Sequence, residues 1–414
     1  MIKNELHINY PRNALKSNLK IFFPIIIMLL GISGKTNTGK TTLFSAATLV
    51  DAEISNRVFT TIEPNKGVTY VRTECPCKEL GIKCNPVNSK CVNNVRFVPV
   101  KAVDIAGLVP DAHLGKGLGN QFLSEIMGAS ALINVVDVSG SSDSSGNPVA
   151  PGTHDPTEDI ELFQREIDYW MLGILMKNWN QIKRSDKRFD EMVYKQLSGL
   201  GIRIEEVEDA INKTGIDINS GEKELLDFVR MLRKNSKPII IAANKIDIPE
   251  ADALYKGLEG KFPVVACSAE SELALRRAAE KNLIKYMPGD SDFEIIGAMD
   301  KKHEDALGFI KEKILKRYGS TGVQDVINKA VFDLLDMIVV YPVENEHKFS
   351  DKKGNVLPDA FLLPKGSTAL DLAYRVHEDI GKKFITAVDA RTGKNVSANY
   401  ELKDGDIISI KSGR

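Results

Sequence analysis

The apolar and polar positions of this 414-residue chain alternate between short strand-like runs and longer helical stretches. Apolar runs at Met28–Ser33, Val95–Val100 and Leu132–Val138 predict strands. Two further runs, Pro238–Asn244 and Pro263–Ala269, predict strands later in the chain. Strands that alternate with helices are typical of a doubly wound, mostly parallel sheet. The pattern therefore predicts an α/β fold.

A long interruption, from Ser139 to Ser236, separates the third and fourth predicted strands. Its first part is rich in Gly, Ser, Pro and Asp and predicts a loop, whereas the remainder has helical spacing. A connection of this length must itself be folded. The expected division is an N-terminal extension (1–27), a sheet domain (28–140 and 237–275), a helical insertion (141–236), a helical connector (276–335) and a strand-rich tail (336–414).

The first 27 residues show no clear period, and the apolar stretch Ile21–Ile32 ends beyond them. That stretch is shorter than the roughly 20 apolar residues of a membrane helix, and Pro24 interrupts it. An export signal is the alternative, but no small-residue cleavage site follows. The glycine-rich segment that does follow needs a strand in front of it, so we favour the strand. Translation that begins at Met28 remains an alternative to a translated extension.

The charge balance narrows the class of partner. Lys and Arg number 55 against 56 for Asp and Glu, so no global positive field draws the chain onto nucleic acid or an anionic membrane. We expect no DNA and no membrane partner, and any RNA contact must use a local patch. Five cysteines in this length do not form a secreted disulfide scaffold, and we expect a cytoplasmic protein.

The segment GKTNTGKT matches the phosphate-binding pattern G-x-x-x-x-G-K-[ST] between a predicted strand and a helix-compatible run. Its glycines let backbone N–H groups surround phosphates, and the following helix N-terminus adds a favourable dipole. Lys40 would supply charge to the β- and γ-phosphates, and the Thr41 hydroxyl would be a Mg²⁺ ligand. The predicted nucleotide-binding residues here are Gly34, Lys35, Thr36, Asn37, Thr38, Gly39, Lys40, Thr41 and Thr42.

Three further motifs follow in order, each at the end of a predicted strand: DIAG, NKID and CSA. In DIAG, Asp104 can orient a Mg²⁺-bound water and the Gly107 N–H can meet the γ-phosphate. In NKID, the Asp247 carboxylate can accept hydrogen bonds from the guanine N1–H and exocyclic amine, a pair that adenine does not offer. GTP and GDP with Mg²⁺ are therefore the predicted ligands.

The remaining residues of the two later motifs complete the predicted base site. Asn244 and Lys245 would brace the loop and cover the base, and the backbone of Ser268 and Ala269 would meet the guanine O6. Taken singly, Asp247 is also compatible with a turn and Ser268 with a helix cap. The order of four motifs on strand ends favours the nucleotide site.

Three longer strings carry a family resemblance: FTTIEPNKGV (Phe59–Val68), DIAGLVPDAHLGKGLGNQFL (Asp104–Leu123) and LLPKGSTALDLAYRVHEDIGKKF (Leu362–Phe384). From about Met28 to Arg414 the chain resembles the Obg-like, YchF-related translation-factor GTPases, in particular an archaeal branch with a C-terminal TGS domain. The resemblance implies a P-loop GTPase fold with a β-grasp TGS module. It also implies GTP hydrolysis and a ribosome or RNA partner.

The resemblance also implies roles for single residues. Thr61 falls on the switch threonine that closes over Mg²⁺ and the γ-phosphate, with Thr60 as the alternative. Leu108 stands where Ras-like enzymes have a water-positioning glutamine, so intrinsic hydrolysis should be slow. His113 falls on a histidine suspected of a catalytic part in YchF-like proteins; an exposed loop histidine is the alternative. The expected catalytic set is Lys40, Thr61, Gly107 and His113.

One departure and two further features qualify the resemblance. Better-known YchF relatives lack the guanine-reading motif and favour ATP, whereas NKID is intact here. Asn37 matches the asparagine of potassium-stimulated GTPases, in which K⁺ can replace the charge of an arginine finger. Lysines of the tail are candidates for RNA contact or simply a solvated face: Lys348, Lys352, Lys353, Lys382, Lys383 and Lys394. A P-loop phosphotransferase and a GTP-binding adaptor with little hydrolysis are the alternative functions.

Cys75, Cys77, Cys84 and Cys91 lie in one segment, before the strand that ends at Asp104. Thiolates are soft ligands for Zn²⁺ or iron–sulfur chemistry, and four of them can complete a tetrahedral site. Their spacing is irregular, so a metal site, disulfides and free thiols all stay open.

Overall fold

The computed structural model describes residues 28–49, 65–107, 112–114 and 125–413. The predicted extension (1–27), both switch threonines (Thr60 and Thr61) and Leu108 lie outside the described residues.

A seven-stranded sheet forms the centre of the chain, with the strand order β2-β4-β1-β5-β6-β7 and β3 beside β4. All neighbours are parallel except β2 and β3, which run antiparallel to β4. The predicted α/β class is confirmed. The strands are β1 (Leu29–Gly34), β2 (Lys66–Glu74), β3 (Lys90–Val92), β4 (Val95–Asp104), β5 (Ala131–Asp137), β6 (Ile239–Asn244) and β7 (Val264–Ala266).

The sheet is covered on both faces, which explains why its central strands are continuous apolar runs. Every residue of β5 is buried. Leu132 and Val136 belong to the hydrophobic cluster formed with the insertion helices, whereas Ile133 and Val135 belong to a second cluster on the other face. The second cluster also contains apolar residues of α1 and of the C-terminal module.

Helices supply both layers around the sheet, and most of them fall in the predicted insertion and connector segments. They are α1 (Lys40–Thr48), α2 (Pro156–Lys177), α3 (Trp179–Lys183), α4 (Phe189–Leu197), α5 (Ile204–Thr214), α6 (Glu222–Ser236), α7 (Ala251–Leu258), α8 (Ala269–Glu280), α9 (Lys301–Phe309), α10 (Lys316–Tyr318), α11 (Val323–Lys329), α12 (Ala369–Val376) and α13 (Glu378–Lys382). One π-helical segment (Ile310–Leu315) joins α9 to α10, and another (Ala330–Leu334) continues α11.

Two details differ from the expectations. The run predicted as a strand over Pro263–Ala269 is a strand only at Val264–Ala266, because Ser268 caps α8 by accepting the Ser271 N–H. The connector contains a short antiparallel pair, β8 (Ile284–Lys285) and β9 (Glu294–Ile295), in addition to helices.

A second sheet forms the C-terminal module, with the order β11-β10-β14-β12-β13. The predicted strand-rich tail is confirmed. Its strands are β10 (Met337–Val343), β11 (Phe361–Pro364), β12 (Phe384–Asp389), β13 (Lys394–Val396) and β14 (Ile407–Ser412). No helix within the described ranges is long and apolar enough to cross a membrane.

Candidate nucleotide-binding site

The phosphate-binding loop connects β1 to α1 at the carboxyl edge of the sheet. Gly39 precedes α1 with a φ of 85°, and a Cβ there would lie 2.2 Å from the Asn244 amide nitrogen. A side chain at this position is therefore excluded by both backbone conformation and space. Asn37 also has a positive φ of 66°.

Thr41 and Asp104 come together below this loop. The Thr41 Oγ1 donates to Asp104 Oδ2 at 3.3 Å, and the Lys40 ammonium lies 3.6 Å from Asp104 Oδ1. Asp104 Oδ1 is buried and has no hydrogen-bond partner in the described part of the chain. A hydroxyl and a carboxylate oxygen without a hydrogen bond are the hard ligands that Mg²⁺ takes beside phosphates. These residues fit the predicted Mg²⁺ role, in which Asp104 acts through a water.

Gly107 lies against the phosphate-binding loop. A Cβ at this residue would be 3.5 Å from the Gly34 carbonyl oxygen and 3.6 Å from Thr36 Oγ1. The β4 motif is thus placed beside the loop that would hold the γ-phosphate, as the order of the motifs predicts.

Asn244 links the phosphate loop to the base loop. Its Nδ2 donates to the Thr38 carbonyl at 2.8 Å, and its Oδ1 accepts the Ala269 N–H at 2.9 Å. The side chain is only 3% exposed. Because both ends of the amide are hydrogen-bonded, the Asn244 side chain ties the two loops to each other.

Asp247 lies half-buried next to Ser268. The Ser268 hydroxyl donates to Asp247 Oδ1 at 2.8 Å, and its oxygen lies 2.7 Å from the Ser271 hydroxyl oxygen. Asp247 Oδ2 has no hydrogen bond to any residue that the structure describes. The helix-cap and base-site interpretations of Ser268 are therefore compatible, since its Oγ both caps α8 and orients the carboxylate.

The backbone N–H groups of Ser268 and Ala269 already have acceptors inside the protein. Ser268 donates to the Thr321 carbonyl at 2.9 Å, and Ala269 donates to Asn244. A contact of this backbone with the guanine O6 would have to share one of these donors, and it stays a prediction.

Lys245 adopts a positive φ of 65° and extends toward the start of the insertion. Its ammonium donates to Asp137 Oδ2 at 2.7 Å and to Ser141 Oγ at 3.3 Å. Burial raises the pKa of Asp137, but the hydrogen bonds from Lys245 and Ser139 outweigh it, and the net pKa lies below its ordinary value. Asp137 therefore stays ionised and holds the Lys245 ammonium, whereas the role of Lys245 in covering the base stays a prediction.

His113 lies against the insertion. Its Nδ1 is 2.6 Å from Glu166 Oε2, its backbone N–H donates to the same oxygen at 3.1 Å, and its ring stacks on Tyr169 with centroids 5.3 Å apart. The alternative of a freely exposed loop histidine is wrong, since the side chain is only 20% exposed.

The contacts that the insertion makes with the phosphate loop were not predicted, because no motif marks them. Lys35 is buried, and its ammonium donates to both Asp159 oxygens at 2.7 and 2.9 Å and to the Ser142 carbonyl at 3.2 Å. Asn37 Nδ2 donates to the Gly146 carbonyl at 2.8 Å. Lys35 and Asn37 therefore anchor the loop to the insertion through their side chains.

The four clustered cysteines lie at the opposite edge of the sheet. Cys75 directly follows β2, whose end pairs with the start of β4, whereas Asp104 ends β4. A strand of this length spans about 30 Å. The cysteines are thus remote from the nucleotide site.

Family models match three parts of the chain. The 50S ribosome-binding GTPase model matches residues 29–172, the G4 motif-containing domain of the YGR210-like Obg-like GTPases matches residues 242–345, and the TGS domain matches residues 351–412. A GTP-binding protein of Methanocaldococcus jannaschii is 51% identical over 393 residues, which are 93% of this chain and 99% of that protein. This chain belongs to the Obg-like GTPase family.

Other relatives agree with this assignment, which supports GTP binding by this member of the Obg-like family. A GTP-binding protein of Schizosaccharomyces pombe is 36% identical over 363 residues, covering 83% of this chain and 88% of that protein. The crystal structure of a GTP-binding protein from Pyrococcus horikoshii OT3 superposes with a TM-score of 0.74 at 40% identity, covering 94% and 100% of the two chains. The ribosome-binding ATPase YchF of Bacillus subtilis is 26% identical over 400 residues, 92% of this chain and 98% of that protein.

Proposed function

We propose that this protein binds GTP and GDP with Mg²⁺, hydrolyses GTP slowly to GDP and phosphate, and acts in the cytoplasm as a nucleotide-dependent switch on the ribosome or RNA. The observation that carries the proposal is the placement of Asn244. Its side chain joins the phosphate loop to the loop that follows Asp247. A nucleotide that engages both loops would meet a scaffold that is already assembled.

Base choice rests on Asp247. One of its oxygens is held by Ser268, and the other has no partner among the described residues. A carboxylate fixed in this way complements the two adjacent donors of guanine, whereas adenine presents no such pair. An unmatched buried group is costly, so discrimination against ATP should be strong. Some relatives are named ATPases, but we do not carry their nucleotide preference over to this site, because NKID is intact here.

Slow hydrolysis rests on two features of the phosphate end. Leu108 cannot orient a water molecule. His113, the candidate for that role, is held by Glu166 of α2. Participation in hydrolysis requires His113 to leave this partner, and we assign that rearrangement to ribosome binding. The alternative, a GTP-binding adaptor with little hydrolysis, is favoured only if the histidine stays on Glu166 throughout.

The switch function rests on contacts between the nucleotide loops and the outer segments. Lys35 and Asn37 bond to the insertion, and the Ser268 N–H bonds to Thr321 next to α11. A nucleotide that shifts these loops therefore acts on the insertion and the connector directly. The ribosome-binding names of the YchF relatives support the ribosome as the partner.

A monovalent cation would fit beside Asn37. The Asn37 amide nitrogen donates to the Gly146 carbonyl of the insertion. Its Oδ1 has no partner among the described residues. An amide oxygen beside the β- and γ-phosphates is a hard ligand that suits K⁺, and K⁺ there would supply positive charge for the transition state.

Two linked measurements test the proposal. Calorimetric titration with GTP, GDP and ATP should show tight binding of both guanine nucleotides and much weaker binding of ATP. Co-sedimentation with ribosomes should then differ between the GDP-bound protein and protein bound to a non-hydrolysable GTP analogue. Equal affinity for ATP and GTP would contradict the guanine site. Co-sedimentation that is the same in both nucleotide states would contradict the switch.

A further inference from the structure

The four cysteines outside the nucleotide site converge on one point. The sulfur atoms of Cys75, Cys77, Cys84 and Cys91 all lie within 4.8 Å of one another. Cys75 and Cys84 are 3.9 Å apart, and Cys77 and Cys91 are 3.7 Å apart. We propose that these cysteines bind one structural Zn²⁺ ion, which locks the C-terminal TGS module onto the GTPase sheet.

The spacing of the sulfur atoms favours a single ion. Four thiolates at Zn–S distances of about 2.3 Å in a tetrahedron have sulfur atoms about 3.8 Å apart. The two measured separations lie on either side of this value. An iron–sulfur cluster would place several irons and inorganic sulfides between the thiolates and spread them further apart. None of the four sulfurs forms a disulfide in the structure.

Arg96 provides an independent reason for an anionic centre. Its side chain is fully buried, and no carboxylate of the described residues forms a salt bridge with it. Its Nη1 instead lies 3.9 Å from Cys75 Sγ and 4.0 Å from Cys84 Sγ. The Asp359 carboxyl feels the charge of Arg96 but forms no ion pair with it, and a buried cation without a counter-charge in direct contact is costly. Four thiolates around Zn²⁺ carry a net negative charge and would supply that counter-charge.

The cysteines enclose the loop that contacts the TGS module. Between Cys84 and Cys91, Asn85 Oδ1 accepts the Val356 N–H at 2.5 Å, and the Asn85 N–H donates to the Val356 carbonyl at 3.1 Å. Asn88 bonds to Ala360 through its side chain alone: its Oδ1 accepts the Ala360 N–H at 2.9 Å and its Nδ2 donates to the Ala360 carbonyl at 3.2 Å. Metal ligands therefore flank both ends of the docking loop.

Arg96 joins the same contact from the sheet. Its Nη2 donates to the Leu357 carbonyl at 2.7 Å, and its guanidinium lies 5.3 Å from the ring centre of Tyr341 in β10. Arg96 thus contacts two of the cysteine sulfurs, Leu357 and Tyr341 of the TGS sheet. Without the ion the four thiolates would take up protons and become neutral. Arg96 would then lose this counter-charge, and the loop that bonds to Val356 and Ala360 would be freed.

Elemental analysis of the full chain, purified without chelators, tests the site. We expect one zinc per chain and no iron in the wild-type protein. Cys84→Ser and Cys91→Ser should lose most of the zinc, whereas Cys267→Ala, which removes the cysteine outside the cluster, should keep it. Zinc far below one per chain, stoichiometric iron, or loss of free thiols to disulfides would overturn the site.

Hydrogen exchange on wild-type protein tests the lock without relying on a variant that folds poorly. Zinc would be removed with an organomercurial and a chelator, and restored in a matched sample. We expect the Val356 and Ala360 amides to exchange at least about tenfold faster without zinc, while the amides of β5 are unchanged. GTP affinity should also be unchanged, because the site lies a strand length from the nucleotide. Equal exchange at Val356 and Ala360 in both samples would overturn the locking role.

Discussion

The two ends of the nucleotide site differ in how completely they are assembled. At the base end, Asn244 bridges two loops and Ser268 holds the Asp247 carboxylate. At the phosphate end, Asp104 Oδ1 has no hydrogen bond among described residues and His113 is bonded to Glu166. One end is ready for its ligand, and the other is not arranged for chemistry.

This difference separates recognition from hydrolysis. Base recognition needs fixed hydrogen-bond donors and acceptors, because ordering mobile groups on binding would lower the affinity for the nucleotide. A switch must hydrolyse GTP only in the right complex, so its catalytic groups can rest on other partners until that complex forms. The following changes act on one end or the other.

The largest effect is expected from Lys40→Ala at the phosphate end. Loss of the ammonium that would face the β- and γ-phosphates should lower the GTP hydrolysis rate about 10²- to 10³-fold. The measurement is single-turnover release of phosphate. Lys256→Ala, which removes an exposed lysine of α7, is the matched control and should leave the rate unchanged. A Lys40→Ala rate equal to that of the control contradicts the assigned role.

A smaller effect, confined to catalysis, is expected from His113→Ala. If His113 acts only after release from Glu166, the variant should lower the ribosome-stimulated rate at least about tenfold. Its intrinsic rate and its GTP affinity should stay as in the wild type. His303→Ala, which removes an exposed histidine at the start of α9, serves as the control. Full ribosome stimulation in His113→Ala would leave the histidine a purely structural contact.

The smallest effect is expected from the monovalent cation. Hydrolysis should be severalfold faster in potassium than in sodium buffer at equal ionic strength, and Asn37→Ala should abolish the difference. The physical reason is the charge that K⁺ adds beside the phosphates. Equal hydrolysis rates in potassium and sodium buffer would contradict the role of K⁺.

Sequence reasoning located the residues that follow local motifs. The loop from Gly34 to Thr41 and the motif that contains Asn244 and Asp247 can be recognised because a turn, a strand end and a helix start must follow in fixed order. The strands could be predicted for a second local reason: buried parallel strands are continuous apolar runs.

Contacts between segments that are distant along the chain could not be predicted from the sequence. Asp159, Gly146 and Glu166 are single residues in a loop and a helix without a motif, and only the fold of the insertion brings them to Lys35, Asn37 and His113. The cysteine cluster could be predicted in part from the sequence. Its residue types indicated metal chemistry, but only the antiparallel pairing of β2, β3 and β4 brings the four sulfurs together.

The central claim is that a fixed Asp247 selects guanine. Asp247→Asn replaces one carboxylate oxygen by an amide donor, which suits xanthine because xanthine has a carbonyl where guanine has its exocyclic amine. Calorimetry with GTP and xanthosine triphosphate on wild type and variant is the most direct test. We predict that the wild type prefers GTP and that the variant prefers xanthosine triphosphate, with its GTP affinity at least about tenfold lower. A variant that still prefers GTP would contradict the claim.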